Sequence, residues 1–246
     1  MPFRMNSKFM AVFRSIIIAS LLLCSGCANN KEAEDDTASE KKVEQQDFSN
    51  AVKLCQSGVS VNKHLYFPAQ SNNVNLYFHG GKVTDEDIKQ LKELKELHEL
   101  CLAFTEVTNE SMPILAKIPG LINLDLAGVR IDNRGLKSLA NHPTLRRLVV
   151  NETAITDAGL EVIATIPNLE CLEVYRCFIT DNGLKHVANM KNLDKISLDS
   201  TKVTDKGLPF LYPLTKLRRL QVWDTGVSES GQKAFQEKMP NVRITR

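Results

Sequence analysis

Three strings of this chain set a hydroxyl beside a carboxylate with a glycine two residues on: "TAITDAGL" from Thr153, "CFITDNGL" from Cys177 and "TKVTDKGL" from Thr201. Such a trio has the look of a catalytic signature. An active site is needed once, however, and these strings return at a fixed step of 24 residues. The spacing fits the start of a helix better. Thr156 suits an N-cap, where its hydroxyl accepts a bond from an orphan backbone amide. Asp157 then opens the helix, where a carboxylate is favoured against the positive end of the helix dipole. Gly159 lets that first turn approach its neighbour closely, because no side chain stands in the way. The string reads as a corner that the chain must turn again and again.

The elements that need such corners follow from the leucines. Leu97, Leu121, Leu145, Leu169, Leu193 and Leu217 stand 24 residues apart and define position one of a repeat. Position four holds Leu100, Leu124, Leu148, Leu172, Ile196 and Leu220; position six holds Leu102, Leu126, Val150, Val174, Leu198 and Val222. Position eleven is β-branched in all six units, from Val107 to Val227. A divergent earlier unit fits the same frame with Leu76, Phe78, Val83, Ile88 and Leu91, which makes seven. Positions four and six alternate with polar or mixed residues, the period of a strand buried on one face. Positions sixteen, nineteen and twenty, such as Leu160, Ile163 and Ala164, have helical spacing with one apolar stripe. Pro119, Pro143 and Pro167 close three of these helices, since proline has no N–H to donate. Each unit is therefore strand, turn, helix, turn, and none can bury its apolar face alone.

This framework resembles that of leucine-rich-repeat proteins over residues 73–240, and the "ITDxGL" form is similar to the ribonuclease-inhibitor-like and cysteine-containing subclasses. At position nine only Cys177 fits the cysteine subclass; Thr105, Val129, Thr153, Thr201 and Thr225 do not. The resemblance implies an α/β fold: a right-handed solenoid of about seven 24-residue repeats, with a concave parallel sheet and helices on the convex side. Open ends of such a stack need caps. Residues 47–72 would supply the first, and residues 241–246 a closing strand carrying Val242 and Ile244 after one extra residue shifts the frame.

Ahead of the repeats, residues 1–27 read as an export signal to be removed. Arg4, Lys8 and Arg14 form a basic leader, and the apolar run from Ile16 to Leu23 falls short of the ~20 residues that span a bilayer. The stretch "LLLCSGCANN" resembles a bacterial lipoprotein signal, with Ser25 and Gly26 ahead of Cys27, which that resemblance makes the lipidated residue. Cys24 departs from the aliphatic residue usual at its place, and an ordinary cleaved signal is the alternative. Ala28 is not the aspartate that this family associates with inner-membrane retention, so the expectation is an exported, outer-membrane lipoprotein of the cell envelope. Residues 28–46 are rich in charge and poor in apolar groups, a tether of about 25 Å as a flexible coil. Three of the 31 basic residues lie in the leader, which leaves 28 against 29 acidic ones. That balance offers no footprint for nucleic acid.

On the concave side, positions three, five, seven and eight face solvent. The larger groups gather in the middle and last units: Arg147, Asn151, Glu173, Tyr175, Arg176, Arg219 and Trp223, with Lys195, Asp199 and Asp224 beside them. Tyr175 and Trp223, the single tryptophan, share position seven two strands apart, or about 10 Å. Aromatic residues and arginine dominate binding hot spots; a solvated sheet with scattered aromatics is the alternative. No catalytic set is expected. Cys101 and Cys171 face the concave side, but no histidine shares a nearby column, and His98 points away from Cys101 on the same strand. The two cysteines would lie three strands or about 14 Å apart, beyond disulfide reach; the state of Cys55 is open. Asp125, Glu173, Asp199 and Asp224 are staggered across columns, so no metal is expected, and no cofactor is implied. His142 and His186 fall on the helical side and are expected to face solvent. The composite reading is a non-enzymatic module that binds a protein or peptide and is held to the membrane by lipid. Its rivals are an envelope scaffold touching cell-wall polymer and, more remotely, a cysteine-dependent hydrolase.

Overall fold

A computed structural model describes residues 74–245 except 79, 81, 90 and 92–96. The export signal with Cys27, the tether 28–46 and the cap 47–72 with Cys55 lie outside the described residues. Eight strands form one sheet in chain order: β1 Val74–Tyr77, β2 Leu97–Cys101, β3 Asn123–Asp125, β4 Arg147–Val149, β5 Cys171–Glu173, β6 Lys195–Ser197, β7 Arg219–Gln221 and β8 Arg243–Thr245. All neighbours are parallel, and Leu100, Leu124, Leu148, Leu172, Ile196 and Leu220 pair in a row from β2 to β7. β8 keeps the same step, with Arg243 opposite Arg219 and Ile244 opposite Leu220. The extra residue expected there does not shift the frame. Backbone pairing holds the register, and Val242, just ahead of the strand, turns into the core instead.

The return segments are α1 Asp85–Ile88, α2 Met112–Leu115, α3 Asn133–Leu136, α4 Asp157–Ile163, α5 Asp181–Val187 and α6 Glu229–Lys238. Only α4, α5 and α6 exceed about one turn. The rest is made up by 3-10 turns at Asn109–Ser111, Lys137–Leu139 and Leu208–Leu211. Pro113 in α2 and Pro209 in the last 3-10 turn both stand in the first turn, where a missing N–H costs no helical bond. In α3 Asn133 and Gly135, with Ser138 in the 3-10 turn that follows, have low helix propensity. Short returns suffice because each needs to present only one apolar stripe. The residues at positions one, four, six and eleven are buried in every unit from Leu97 to Val227, in one continuous core.

The corner binds one unit to the next. The Asp157 carboxylate accepts the Thr180 N–H at 2.8 Å and the Thr180 hydroxyl at 2.6 Å. Asp85 serves Thr108, Asp181 serves Thr204 and Asp205 serves Ser228 in the same way. Asn109 and Asn133 stand in for the aspartate, meeting Asp132 and Thr156. Thr156 departs from the expected cap: its hydroxyl accepts from the Asn133 amide at 2.8 Å and makes no bond to its own helix. Thr180 does both jobs, since it also accepts from the Asn182 N–H at 3.2 Å. A Cβ on Gly183 would overlap Asp157 Oδ1, and Gly135, Gly159, Gly207 and Gly231 each face the same atom of the unit before. The glycine keeps clearance for a carboxylate that ties two coils together.

A second recurring device ends each strand. Gly80, Phe104, Gly128, Glu152, Arg176, Ser200 and Asp224, all at position eight, have positive φ. The left-handed conformation costs a non-glycine residue about 1–2 kcal/mol. Hydrogen bonds across units hold it there: Glu152 N–H reaches the Tyr175 carbonyl at 2.8 Å, Arg176 reaches Asp199 at 3.0 Å and Ser200 reaches Trp223 at 2.7 Å.

His142 corrects the expectation of a solvent-facing side chain. It is 3% exposed, one repeat step from Ile118 and Ile166 in an otherwise apolar column, and neither ring nitrogen has a partner. His186 is half-buried on α5. Burial lowers the His142 pKa, so the folded state holds the ring neutral while the unfolded chain takes a proton below about pH 6.5. Stability is then lost as pH falls from that value. His142→Leu should raise the urea midpoint, and by more at about pH 5.5 than at about pH 8. Gly183→Ala should destabilise the chain by about 2 kcal/mol or more in urea melts. That cost should shrink when Asp157 is also alanine, because the carboxylate it strikes is gone; a simple sum of the two single effects would contradict the clamp.

Candidate functional site

The open face of the sheet has two edges of different chemistry. At the edge where strands begin, Arg147, Cys171, Lys195, Arg219 and Arg243 lie opposite one another in successive strands. Glu173, two residues along β5, joins two of them: one of its oxygens meets Arg147 Nη2 at 2.9 Å and Lys195 Nζ at 3.0 Å. Asn151 Nδ2 approaches its other oxygen at 3.5 Å. Burial alone would push the Glu173 carboxyl up. The Lys195 hydrogen bond and the charges of Arg147 and Lys195 outweigh it and hold the pKa below the usual value. Arg219 turns away from this group to Asp194 at 2.8 Å, where Arg218 Nε also lies at 3.6 Å.

Four residues along, about 13 Å up the strands, position seven presents Asn151, Tyr175, Asp199 and Trp223. Asn151 Oδ1 accepts the Tyr175 N–H at 2.8 Å and Asp199 Oδ1 accepts the Trp223 N–H at 2.6 Å. Each aromatic is thus fixed through its backbone by the unit before it. The Arg176 guanidinium lies 5.1 Å from the Tyr175 ring centroid, a cation–π contact, and 3.7 Å from Glu152. Tyr175 is half-buried and Trp223 is 54% exposed.

The seven expected residues therefore fall into two rows. Arg147, Glu173 and Arg219 belong to the charged one and Tyr175, Arg176 and Trp223 to the aromatic one, with Asn151 touching both. Arg243 was not among them, although its distance of one repeat from Arg219 is visible in the sequence; the supposed frame shift hid it. Also missed was a small apolar cluster on the same face in the earlier units, formed by Ala103, Ala127 and Val149 with Cys101 against it. Phe104 stands exposed at its side. The signal was the smallness of these residues, which reads as blandness until strand pairing sets them side by side.

The thiols lack the environment of a nucleophile. Burial pushes Cys101 up to about 11, with the Asp125 carboxylate adding to it. Burial also raises Cys171, against the pull of Arg147. Reactivity belongs to the thiolate, and these groups hold their protons. Cys101, Cys171 and Cys177 are free, and Cys177 packs in the core with its sulfur 3.1 Å from the Val150 carbonyl. The carboxylates are taken up by neighbours: Asp125 accepts the Ala127 N–H at 3.0 Å and Asp224 the Ser200 hydroxyl at 3.1 Å.

A leucine-rich-repeat family model matches residues 141–164, the span of one unit. Internalin C2 of Listeria monocytogenes superposes with a TM-score of 0.55 at 22% identity, covering 70% of this chain and 79% of that one. The fold is a leucine-rich-repeat solenoid. A leucine-rich-repeat protein of Leptospira interrogans also matches, with a TM-score of 0.43 and 17% identity over 64% of this chain and 51% of that one. No curated protein matches the sequence. The likenesses concern the coil, whereas the two rows described above are carried by positions that the repeat framework leaves free.

Glu173→Gln should lower stability at neutral pH by about 1–2 kcal/mol, since two cations lose their shared carboxylate. The sign follows from the depressed pKa: the stabilisation is present above the ordinary carboxylate range and is lost as pH falls through the folded value. The gap between the urea midpoints of parent and variant should therefore begin to narrow as pH drops below about 4.5 and go on narrowing at lower pH. A constant gap would contradict the network.

Proposed function

We propose that this leucine-rich-repeat solenoid is a non-enzymatic module that binds a protein or peptide on the open face of its sheet, tethered at the cell envelope by a lipidated Cys27. The observation that carries the reading is the aromatic row. Trp223 stands exposed and Tyr175 carries the Arg176 guanidinium, and both are locked from behind by side chains of the preceding unit. Aromatic side chains carried on a backbone held in one place suit a docking site, because the backbone beneath them is already ordered when the partner arrives. The raised thiol pKa values of Cys101 and Cys171 weigh against a cysteine hydrolase. The anchor rests on the signal-like segment ahead of Cys27, and the envelope location on the same residues.

Replacing Tyr175 and Trp223 together by alanine should abolish crosslinking to the native partner in the producing cell. Neither side chain belongs to the buried core, so the melting transition should move little. Capture that survives the double substitution would move the site off this face. Cys27→Ser should release the protein from the membrane fraction; retention of the serine variant would sink the lipid anchor.

A further inference from the structure

The two edges of the open face differ in charge as well as shape. Over β4 to β8, position three of the open face holds Arg147, Lys195, Arg219 and Arg243 and no carboxylate, while position two, which strand alternation turns off that face, holds Arg146 and Arg218 against Glu170 and Asp194. Among the described residues, positions five to eight of the same units hold Glu152, Glu173, Asp199 and Asp224 against Arg176, with Glu173 reaching back to Arg147 and Lys195. The chain as a whole is almost neutral, so this is a local separation of charge across one face. It is also incompletely paired. Asp194 is shared by Arg218 and Arg219, Glu173 is shared by Arg147 and Lys195, and Arg243 has no ion-pair partner among the described residues.

The surplus cations border hollows. Lys195, Arg219 and Arg243 line one of about 180 Å³ together with Gln221 and Thr245. Arg218 and Lys216 line the other, of about 710 Å³, with Asp194, Glu170 and Asn241. Arg218 and Arg219, adjacent in sequence, thus face different hollows. Three cations in line over β6, β7 and β8 extend for about 10 Å and do not converge on a point, which suits an elongated polyanion better than a single small anion. Because they sit beside hollows, a thin chain reaches them more readily than a flat bilayer does.

We infer that this basic edge takes an acidic, extended polypeptide segment, laid across β6 to β8 with carboxylates against Lys195, Arg219 and Arg243. The inference rests on the reading of the open face as a protein- or peptide-binding surface and names the chemistry of the partner. Carboxylates on alternate residues of an extended chain recur every ~6.6 Å, and long flexible arginine and lysine side chains bridge the difference from the ~4.8 Å strand spacing.

The test uses the full chain and a fluorescein-labelled twelve-residue peptide of alternating glutamate and serine, with a control in which every glutamate is glutamine. Anisotropy should show binding of the acidic peptide only. Its affinity should fall about tenfold or more when salt rises from about 50 to 500 mM, because exposed charges are screened. Arg219→Glu with Arg243→Glu should weaken it at least about tenfold. Arg243→Ala, which breaks no ion pair among the described residues, should weaken it about threefold with an unchanged melting transition, and this separates lost binding from lost fold. Equal binding of the glutamine peptide, or an affinity indifferent to both variants, overturns the inference. So do phosphatidylglycerol vesicles that bind while the peptide does not, an outcome that assigns the edge to a membrane. A native partner that crosslinks through Trp223 and ignores the charge reversal would leave the open-face reading standing and remove this one.

Discussion

No unit of this chain has anywhere to bury its apolar side except against the next unit. Leu148 pairs with Leu124 on one flank and Leu172 on the other, and all three are sealed from water. A core leucine of this kind is worth a few kcal/mol, but it is worth that only while both neighbours are in place. The fold therefore has the logic of a one-dimensional stack, in which stability is the sum of contacts between adjacent coils. The 24-residue step is the consequence. With a constant step the leucines of successive units meet in rows, so the sheet, the core and the corners share a single register.

Around that core, polar groups fix what packing alone leaves loose. Apolar contacts are non-directional, and a stack of greasy coils could slide. The aspartate at the first helical position prevents this by holding both the amide and the hydroxyl of the next corner, as Asp157 does for Thr180. Its glycine partner is the space the carboxylate occupies, so the two residues recur together. At the other end of each strand the left-handed residue at position eight is held by a carbonyl of the next unit. These bonds are directional, and they run between units, so they resist sliding. The result is a sheet whose outward side chains stand on a rigid grid.

That grid separates folding from function. Positions one, four, six and eleven are constrained by the core, whereas three, five, seven and eight are free to carry any residue that tolerates a solvated sheet or a left-handed turn. In the later units this freedom is used to place cations at one edge and aromatics with carboxylates at the other. In the earlier ones it is used for Ala103, Ala127 and Val149, which make the face smooth and apolar. Among the described residues three cysteines are spread over this architecture, none in a disulfide and each with its thiol pKa raised by burial.

The repeat, the identity of the buried positions and the alternation of strand and return segment are legible in the residues alone. Those depend on periodicity, and periodicity is a local property of the chain: Leu97 to Leu217 recur at one step, and the corner string recurs with them. It also determined which residues share the outward face, Tyr175 and Trp223 among them, because a constant step fixes the columns. Only the tertiary structure decided how those residues use one another. Arg219 turning to Asp194, Glu173 gathering Arg147 and Lys195, and Thr156 giving its hydroxyl to Asn133 are choices among several partners within reach. His142 is the clearest case: its place on the helical side suggested solvent, but coil-to-coil contact closed over it. Burial and pairing are sums over neighbours that lie a whole repeat away in sequence, and no spacing rule along the chain adds them up.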